Sequence, residues 1–121
     1  MLKPNILEQL NQQFNNELYS AYLYYAVAGY FDNRNLRGFA HWMTAQATEE
    51  LAHVSRIYNY IIDKGGRVDF RTVDAPPPDW KSHMAAVEEA YKHECLVSEQ
   101  INECVALAIK ENDYSTYTFL Q

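Results

Sequence analysis

"GGRVDFRTVDAPPPDW" (residues 65–80) is the stretch that decides how the rest of this chain folds. It opens with two glycines and contains three of the chain's four prolines, and these residues end helices rather than continue them. A segment of this length reaches roughly 50 Å when extended, whereas a helix of about 28 residues is about 42 Å long. The segment can therefore cross from one end of a helical bundle to the other.

Helical patterns flank this crossover on both sides. We predict helices over 5–31, 36–64 and 81–110, and the start of a fourth helix at Asp113, which is a good N-cap. A tight turn at 32–35 makes the first two helices an antiparallel hairpin, and the crossover makes the second and third helices parallel. The predicted fold class is all-α, an up-down bundle with one long crossover. It has three full helices and the start of a fourth.

Local signals set the predicted helix ends. Asn35 is the expected N-cap of the second helix, and either Asp79 or Ser82 is the expected N-cap of the third. Gly65 and Gly66 are expected to end the second helix because glycine tolerates positive φ.

The composition indicates one globular domain, 1–121, and excludes several functions. The chain is 48% hydrophobic and its net charge is -6, so it repels nucleic acid and anionic membranes. It has no apolar run of about 18 residues and no signal peptide, so we expect a cytoplasmic protein with no membrane span. Cys95 and Cys104 point to opposite sides of one helix, and free thiols fit a reducing compartment.

Each predicted helix carries an apolar row at spacings of three and four, and a carboxylate interrupts each row near its middle. The interruptions are Glu17 in the first helix, Glu50 with His53 in the second ("TEELAHVSR", 48–56), and Glu94 in the third. The rows are Leu7, Leu10, Phe14, Glu17, Ala21, Tyr24, Ala28 and Phe31; Leu36, Phe39, Met43, Gln46, Glu50, His53, Ile57 and Tyr60; and Met84, Val87, Tyr91, Glu94, Ser98, Ile101, Val105 and Ala108.

These interruptions lie at one level of the predicted bundle. Glu17 and Glu50 are about equally far from the tight turn, and Glu94 lies about as deep in the third helix as Glu50 in the second. Burying ionised carboxylates together is unfavourable, and these rows contain no Lys or Arg to pair with them. The three acids and the imidazole of His53 therefore predict a metal site suited to iron, manganese or zinc. A Glu from each helix with a Glu-x-x-His pair is known from di-iron bundles.

Each candidate residue, taken alone, also has a simpler structural interpretation. A single Glu near such a row commonly reaches water, and a competing row of Ala47, Leu51 and Val54 runs along the second helix. Tyr24 is either a core residue or a hydrogen-bond partner of a metal ligand. Glu49 is either a surface acid or a ligand to a further metal ion. The remaining histidines are interpreted as surface or boundary residues: His41, His83 and His93.

The stretches "LKPNILEQLNQQFNNELYSAYLY", "ATEELAHVSRIYNYI", "AYKHE" and "NDYSTYTFLQ" resemble the bacterial non-haem ferritins in order and spacing. The resemblance covers essentially the whole chain. It implies a ferritin-like four-helix subunit of a hollow 24-subunit shell. It also implies oxidation of Fe(II) by O2 or H2O2 at a di-iron centre and storage of the ferric product.

The resemblance assigns a role to each candidate residue. Glu17 and His53 bind the first iron, Glu50 bridges, and Glu94 binds the second iron. Tyr24 matches a tyrosine next to the centre, and Glu49 matches a residue of a third, accessory iron site. Haem is not expected, because Leu51 stands where haem-binding relatives have Met.

The family pattern continues beyond Gln121, where a fourth helix supplies further ligands to the second iron. We therefore expect a truncated or cleaved chain, or one completed from elsewhere, with a half-built second site and incomplete ferroxidase activity. Two other functions stay open. One is a non-catalytic scaffold that metal stabilises, and the other is a module whose open groove binds a partner helix.

Overall fold

The computed structural model describes residues 1–121 and contains four helices and no strand. They are α1 (Pro4–Asp32), α2 (Arg37–Asp63), α3 (His83–Lys110) and α4 (Tyr114–Leu120). The all-α prediction is confirmed, and each predicted helix end lies within two residues of the observed one. None of the helices combines the length and apolarity needed to cross a membrane.

The turn between α1 and α2 differs from the prediction in one respect. Leu36, and not Asn35, is the N-cap of α2, and its side chain makes no capping hydrogen bond. Asn35 instead has a φ of 59°, a left-handed conformation that asparagine tolerates better than most residues. The Leu36 N–H donates to the Phe31 carbonyl at 2.9 Å and closes the turn. Asn35 therefore makes the turn possible but does not cap the helix.

The ends of the crossover follow the prediction more closely. Gly65 has a φ of +75°, and the Gly66 N–H donates to the Ile61 carbonyl at 2.9 Å, so a left-handed glycine ends α2. At the other end, the Ser82 hydroxyl oxygen accepts from the Ala85 N–H at 3.0 Å. Ser82 is therefore the N-cap of α3, and Asp79 is not.

The crossover lies along α1. The side-chain amide of Asn11, which is 2% exposed, donates to the Arg67 carbonyl at 3.0 Å and accepts from the Asp69 N–H at 2.8 Å. Farther along, the Trp80 ring packs edge-on against Tyr30 near the far end of α1. The segment therefore runs the length of α1, as its extended reach predicts.

Two apolar clusters show that α2 and α3 run in the same direction. The upper cluster joins the end of α1 to the beginnings of α2 and α3, and the lower cluster joins the beginning of α1 to the ends of α2 and α3. The upper members are Leu23, Tyr24, Val27, Ala28, Tyr30, Phe31, Ala40, Met43, Ala47, Ala86 and Ala90. The lower members are Ile6, Leu10, Phe14, Ile57, Ile61, Val68 and Ala108.

Helix α3 packs on α1 and α4, and no Cα atoms of α2 and α3 lie within 8 Å of each other. The predicted row of α3 is wrong as a description of the core, because Met84 and Tyr91 are 65% and 71% exposed. Ala108 of the row is buried, but the other buried residues of α3 lie outside the row, and most of them are small: Ala86, Ala90, Val97 and Cys104. Much of the predicted row instead lines the open space between α2 and α3, here called the α2–α3 groove.

The short helix α4 depends on its N-cap. Asp113 accepts from the backbone N–H and the hydroxyl of the buried Thr116 at 3.0 and 2.7 Å. Burial alone raises the pKa of Asp113, but these hydrogen bonds outweigh it, so the pKa is lowered. The carboxylate therefore stabilises the fold at neutral pH, and that contribution is lost as the pH falls through the lowered pKa.

We expect Asp113→Ala to lower the free energy of unfolding by about 1–2 kcal/mol at pH 7, the usual effect of losing an N-cap. Urea unfolding followed by circular dichroism measures the change. Asp74→Ala is the control, because Asp74 is exposed in the crossover and its carboxylate makes no hydrogen bond. Equal stability of the two variants would contradict this role for Asp113.

Candidate metal centre

Two carboxylates meet in the interior at the level between the upper and lower clusters. Glu17 of α1 is 1% exposed and Glu50 of α2 is 4% exposed. Each follows the apolar periodicity of its helix, so the packing that buries the neighbouring rows buries these side chains as well. Neither forms an ion pair with Lys or Arg. The predicted burial of both acids is confirmed.

His53 completes a three-residue cluster with these acids. It lies one turn after Glu50 on α2, and its side chain is 48% exposed. Its Nδ1 atom is 3.4 Å from Glu50 Oε2 and 3.6 Å from Glu17 Oε2. One ligand atom from each residue lies within 4.8 Å of the other two. The imidazole thus forms the solvent-facing side of the cluster.

Two carboxylate oxygen atoms of this cluster make no hydrogen bond. Glu17 Oε2 and Glu50 Oε2 are buried and have no hydrogen-bond partner, which is unfavourable for a buried carboxylate. In a metal site with bonds of about 2.1 Å, neighbouring ligand atoms lie roughly 3.0–3.4 Å apart. The distances from Nδ1 are close to that range. The donor set of two carboxylate oxygens and one imidazole nitrogen therefore fits a first-row transition metal ion.

The surroundings of Glu50 raise the pKa of its carboxyl group. Burial, contact with Glu17 and the negative charges of Glu17, Glu94 and Glu49 raise the pKa of Glu50 to about 9. The metal-free protein at neutral pH therefore keeps a proton on Glu50, where it can be shared with Glu17. A cation that replaces this proton relieves the same repulsion.

Glu94 lies on α3 beside this cluster but not within it. It is partly exposed, and it lines a cavity of about 380 Å³ together with Glu17, Glu50 and His53. Its Oε1 accepts a hydrogen bond from the Tyr24 hydroxyl at 2.6 Å. Burial first, and then this hydrogen bond, raise the pKa of Tyr24. Tyr24 thus remains a neutral donor that holds Glu94 at the edge of the cavity.

The remaining candidate, Glu49, lies apart from the cluster. Its side chain is exposed on α2, because consecutive helical residues point about 100° apart. The structure therefore brings together Glu17, Glu50 and His53, places Glu94 with Tyr24 beside them, and leaves Glu49 on the surface.

Two contacts near the cluster were not predicted from the sequence. The side chain of Gln13, 1% exposed, donates to Glu17 Oε1 at 3.1 Å. His93, which the sequence predicts to be a surface or boundary residue, is half-buried and lies 2.7 Å from the Ser20 hydroxyl. Burial lowers the pKa of His93. The spacing of four between Gln13 and Glu17 was a usable signal, whereas the Ser20–His93 contact depends on how α3 packs against α1.

A helical bundle with acids and a histidine between its helices at mid-depth belongs to a class known for metal sites in the bundle core. The chain belongs to the ferritin family, since the model for the ferritin-like domain matches residues 7–121. The family resemblance drawn from the sequence is thus confirmed.

Individual relatives agree with this assignment. The chain is 37% identical over 121 residues to the bacterial non-heme ferritin of Escherichia coli O157:H7. It is 38% identical over 120 residues to that of Staphylococcus aureus strain NCTC 8325. These alignments cover 100% and 99% of this chain, and 73% and 72% of the two relatives.

Solved structures match the fold closely. An open-pore ferritin from Archaeoglobus fulgidus superposes with a TM-score of 0.97 at 44% identity, covering 100% of this chain and 75% of that one. Chlorobium tepidum ferritin gives a TM-score of 0.97 at 40% identity, covering 100% of this chain and 74% of that one. The up-down bundle with one long crossover is therefore the ferritin fold over the whole of the chain described here.

Proposed function

We propose that this chain is one ferritin-like domain that binds Fe(II) between its helices, promotes its oxidation and contributes to iron storage. Iron is the substrate and the stored product. Glu17, Glu50 and His53 are the ligands of the first iron position, with Glu50 facing both positions as a bridge. Glu94, positioned by Tyr24, is the ligand of the second.

The observation that carries this proposal is the pair of unpartnered carboxylate oxygens. Glu17 Oε2 and Glu50 Oε2 are buried without a hydrogen bond and lie beside His53 Nδ1. If these positions served only the stability of the core, apolar side chains would suit them better than buried acids. Two ionisable acids beside an imidazole instead support a site that binds a cation.

Each residue has a role that follows from its surroundings. Bound iron supplies the electrons for reduction of O2 or H2O2. The two buried carboxylates favour Fe(III) over Fe(II), because each negative charge interacts more strongly with the ion of higher positive charge. Tyr24 keeps its proton and holds Glu94 Oε1, so Glu94 Oε2 is the atom available to a cation. The partly exposed imidazole of His53 leaves a path for iron from the α2–α3 groove.

The test is the ferric absorbance that develops when Fe(II) and air are added to the protein. We expect the initial rate of the wild-type protein to exceed that of a Glu50→Ala, His53→Ala double variant by at least about 100-fold, because several ligands that act together are lost. Anaerobic Fe(II) titration should show the corresponding loss of tight binding.

Glu99→Gln is the matched control, since it removes one exposed acid of α3 outside the cavity. It should oxidise iron at the wild-type rate. An unchanged rate in the double variant would refute the proposed centre. Tight binding with strong stabilisation but no oxygen consumption would instead support a non-catalytic, metal-stabilised scaffold.

Assembly into a 24-subunit shell is proposed from family membership, and the half-exposed rings of Tyr22 and Tyr25 on α1 suit a subunit contact. A third iron position at Glu49, a cytoplasmic location and the absence of haem stay predictions.

A further inference from the structure

The buried ligand Glu17 is held by an amide side chain of its own helix. Gln13 lies one turn before it on α1 and is 1% exposed. Its Nε2 donates to Glu17 Oε1 at 3.1 Å. The other oxygen, Oε2, has no hydrogen-bond partner and lies 3.6 Å from His53 Nδ1. One carboxylate oxygen is therefore occupied by protein, and the other faces the cluster.

Gln13 is itself oriented by a chain of amides that begins at the surface. Asn16 Nδ2 donates to Gln13 Oε1 at 3.3 Å, and Gln12 Nε2 donates to Asn16 Oδ1 at 2.9 Å. A side-chain amide has a donor end and an acceptor end. Because Asn16 presents its donor to the Gln13 oxygen, the Gln13 nitrogen is turned toward Glu17. Each link in the chain thus fixes the direction of the next.

We propose that Gln13 is a positioning residue for the metal centre, and that Asn16 sets the orientation of its amide. Gln13 holds Glu17 Oε1, so Glu17 binds a metal ion through Oε2 alone and in one fixed direction. The inference rests on the proposed function, because it assumes that Glu17 is a ligand. It assigns a role to two residues that bind no metal themselves, in the way that partners of metal ligands generally act.

The first test is Gln13→Met, which keeps a flexible side chain of similar size but removes the donor. Co(II) is the probe, because its visible absorption reports the number and geometry of its ligands. We expect Co(II) to bind about 10-fold to 100-fold more weakly than to the wild-type protein. We also expect a changed visible spectrum, because Glu17 is then free to bind through both oxygens. Gln9→Met is the matched control, since Gln9 lies on the same helix but takes no part in the hydrogen bonds that join Gln12, Asn16, Gln13 and Glu17, and it should leave both quantities unchanged.

The second test is Asn16→Asp, which separates amide orientation from charge. An added negative charge near the site by itself tightens cation binding. A carboxylate at position 16, however, accepts from the Gln13 nitrogen and turns the Gln13 oxygen toward Glu17, which we expect to weaken Co(II) binding by about 10-fold. Tighter binding in Asn16→Asp would overturn the role assigned to Asn16.

The outcomes separate this inference from the function on which it rests. If the wild-type protein fails to bind Co(II), the proposed metal centre itself is wrong. If the wild-type protein binds Co(II) and Gln13→Met gives the same affinity and spectrum, only the positioning role is wrong. A purely structural role for Gln13 predicts a lower melting temperature with an unchanged Co(II) spectrum. Should Gln13→Met fail to fold, the direction of the change in Asn16→Asp decides the question.

Discussion

Glu50→Gln is expected to stabilise the metal-free protein at neutral and alkaline pH, although it removes a central residue of the proposed metal centre. The pKa of Glu50 is raised to about 9 by burial, by contact with Glu17 and by nearby negative charges. A Gln side chain resembles the protonated acid in shape and keeps a donor for Glu17 Oε2, which accepts no hydrogen bond once Glu50 is ionised. The variant therefore satisfies that oxygen at every pH.

The direction of the pH dependence follows from proton binding. Because the folded state holds the Glu50 proton more tightly than the unfolded state, the associated stability is fully present below the ordinary pKa of 4.5 and is lost as the pH rises to about 9. Each pH unit within this window lowers the free energy of unfolding by about 1.4 kcal/mol. At pH 7 the loss in the wild-type protein is on the order of 3 kcal/mol, and the variant avoids it.

Urea unfolding between pH 4.5 and pH 9, in the presence of a metal chelator, tests this expectation. Wild-type protein and Glu50→Gln should have similar stability at the acid end, and the variant should become progressively more stable than the wild-type protein above it. Glu99→Gln, which alters an exposed acid, should follow the wild-type curve. Parallel curves for wild-type protein and Glu50→Gln would show that Glu50 is not protonated in the folded state.

The second large effect is the response to a divalent cation, which should replace the Glu50 proton. Zn(II) is a suitable probe because it binds carboxylate and imidazole ligands and has no redox chemistry. At pH 7 we expect about one proton to be released for each Zn(II) bound, since the protonated Glu50 must ionise to become a ligand. The release should decrease as the pH rises through about 9, where Glu50 ionises in the metal-free protein.

The same binding should raise the melting temperature. A free Zn(II) concentration 100 times the dissociation constant stabilises the folded state by about 2.7 kcal/mol. For a domain of this size that corresponds to a shift of roughly 10 °C. Differential scanning calorimetry measures the shift, and a pH indicator in weak buffer measures the protons.

Glu50→Gln serves here as the discriminating variant. It should be more stable than the wild-type protein before Zn(II) is added, and it should show neither proton release nor a large shift afterwards. A wild-type protein that gains stability from Zn(II) without releasing protons would contradict the raised pKa of Glu50. A full shift in Glu50→Gln would place the binding site elsewhere.

Periodicity and length predicted most of the fold. The apolar row predicted for α1 is buried from Leu10 to Phe31, as expected. This helix packs against both α2 and α3 and is therefore buried along its length. The row chosen for α2 was correct at Met43, Glu50 and Ile57 but wrong at Phe39, which is 52% exposed. The competing row was correct at Ala47, which is fully buried, and wrong at Leu51, which is 41% exposed.

The row of α3 was predicted less well. It was drawn through large apolar residues, but α3 uses alanines to approach α1. The larger residues Met84 and Tyr91 remain exposed, and Tyr91 lines the α2–α3 groove. Composition identifies which side chains are apolar, whereas the choice between two apolar faces depends on which helix lies opposite each one.

The sequence by itself determined the helices, the parallel course of α2 and α3, and the level at which the acids lie, because rise per residue and chain reach are local properties. Only the tertiary structure decided that Glu17 and Glu50 turn their Oε2 atoms toward His53 Nδ1 while Tyr24 holds Glu94 to one side. It also decided that Gln13 occupies the other oxygen of Glu17. These features depend on side-chain rotamers and on hydrogen bonds between and within helices, which are fixed only once the helices have packed.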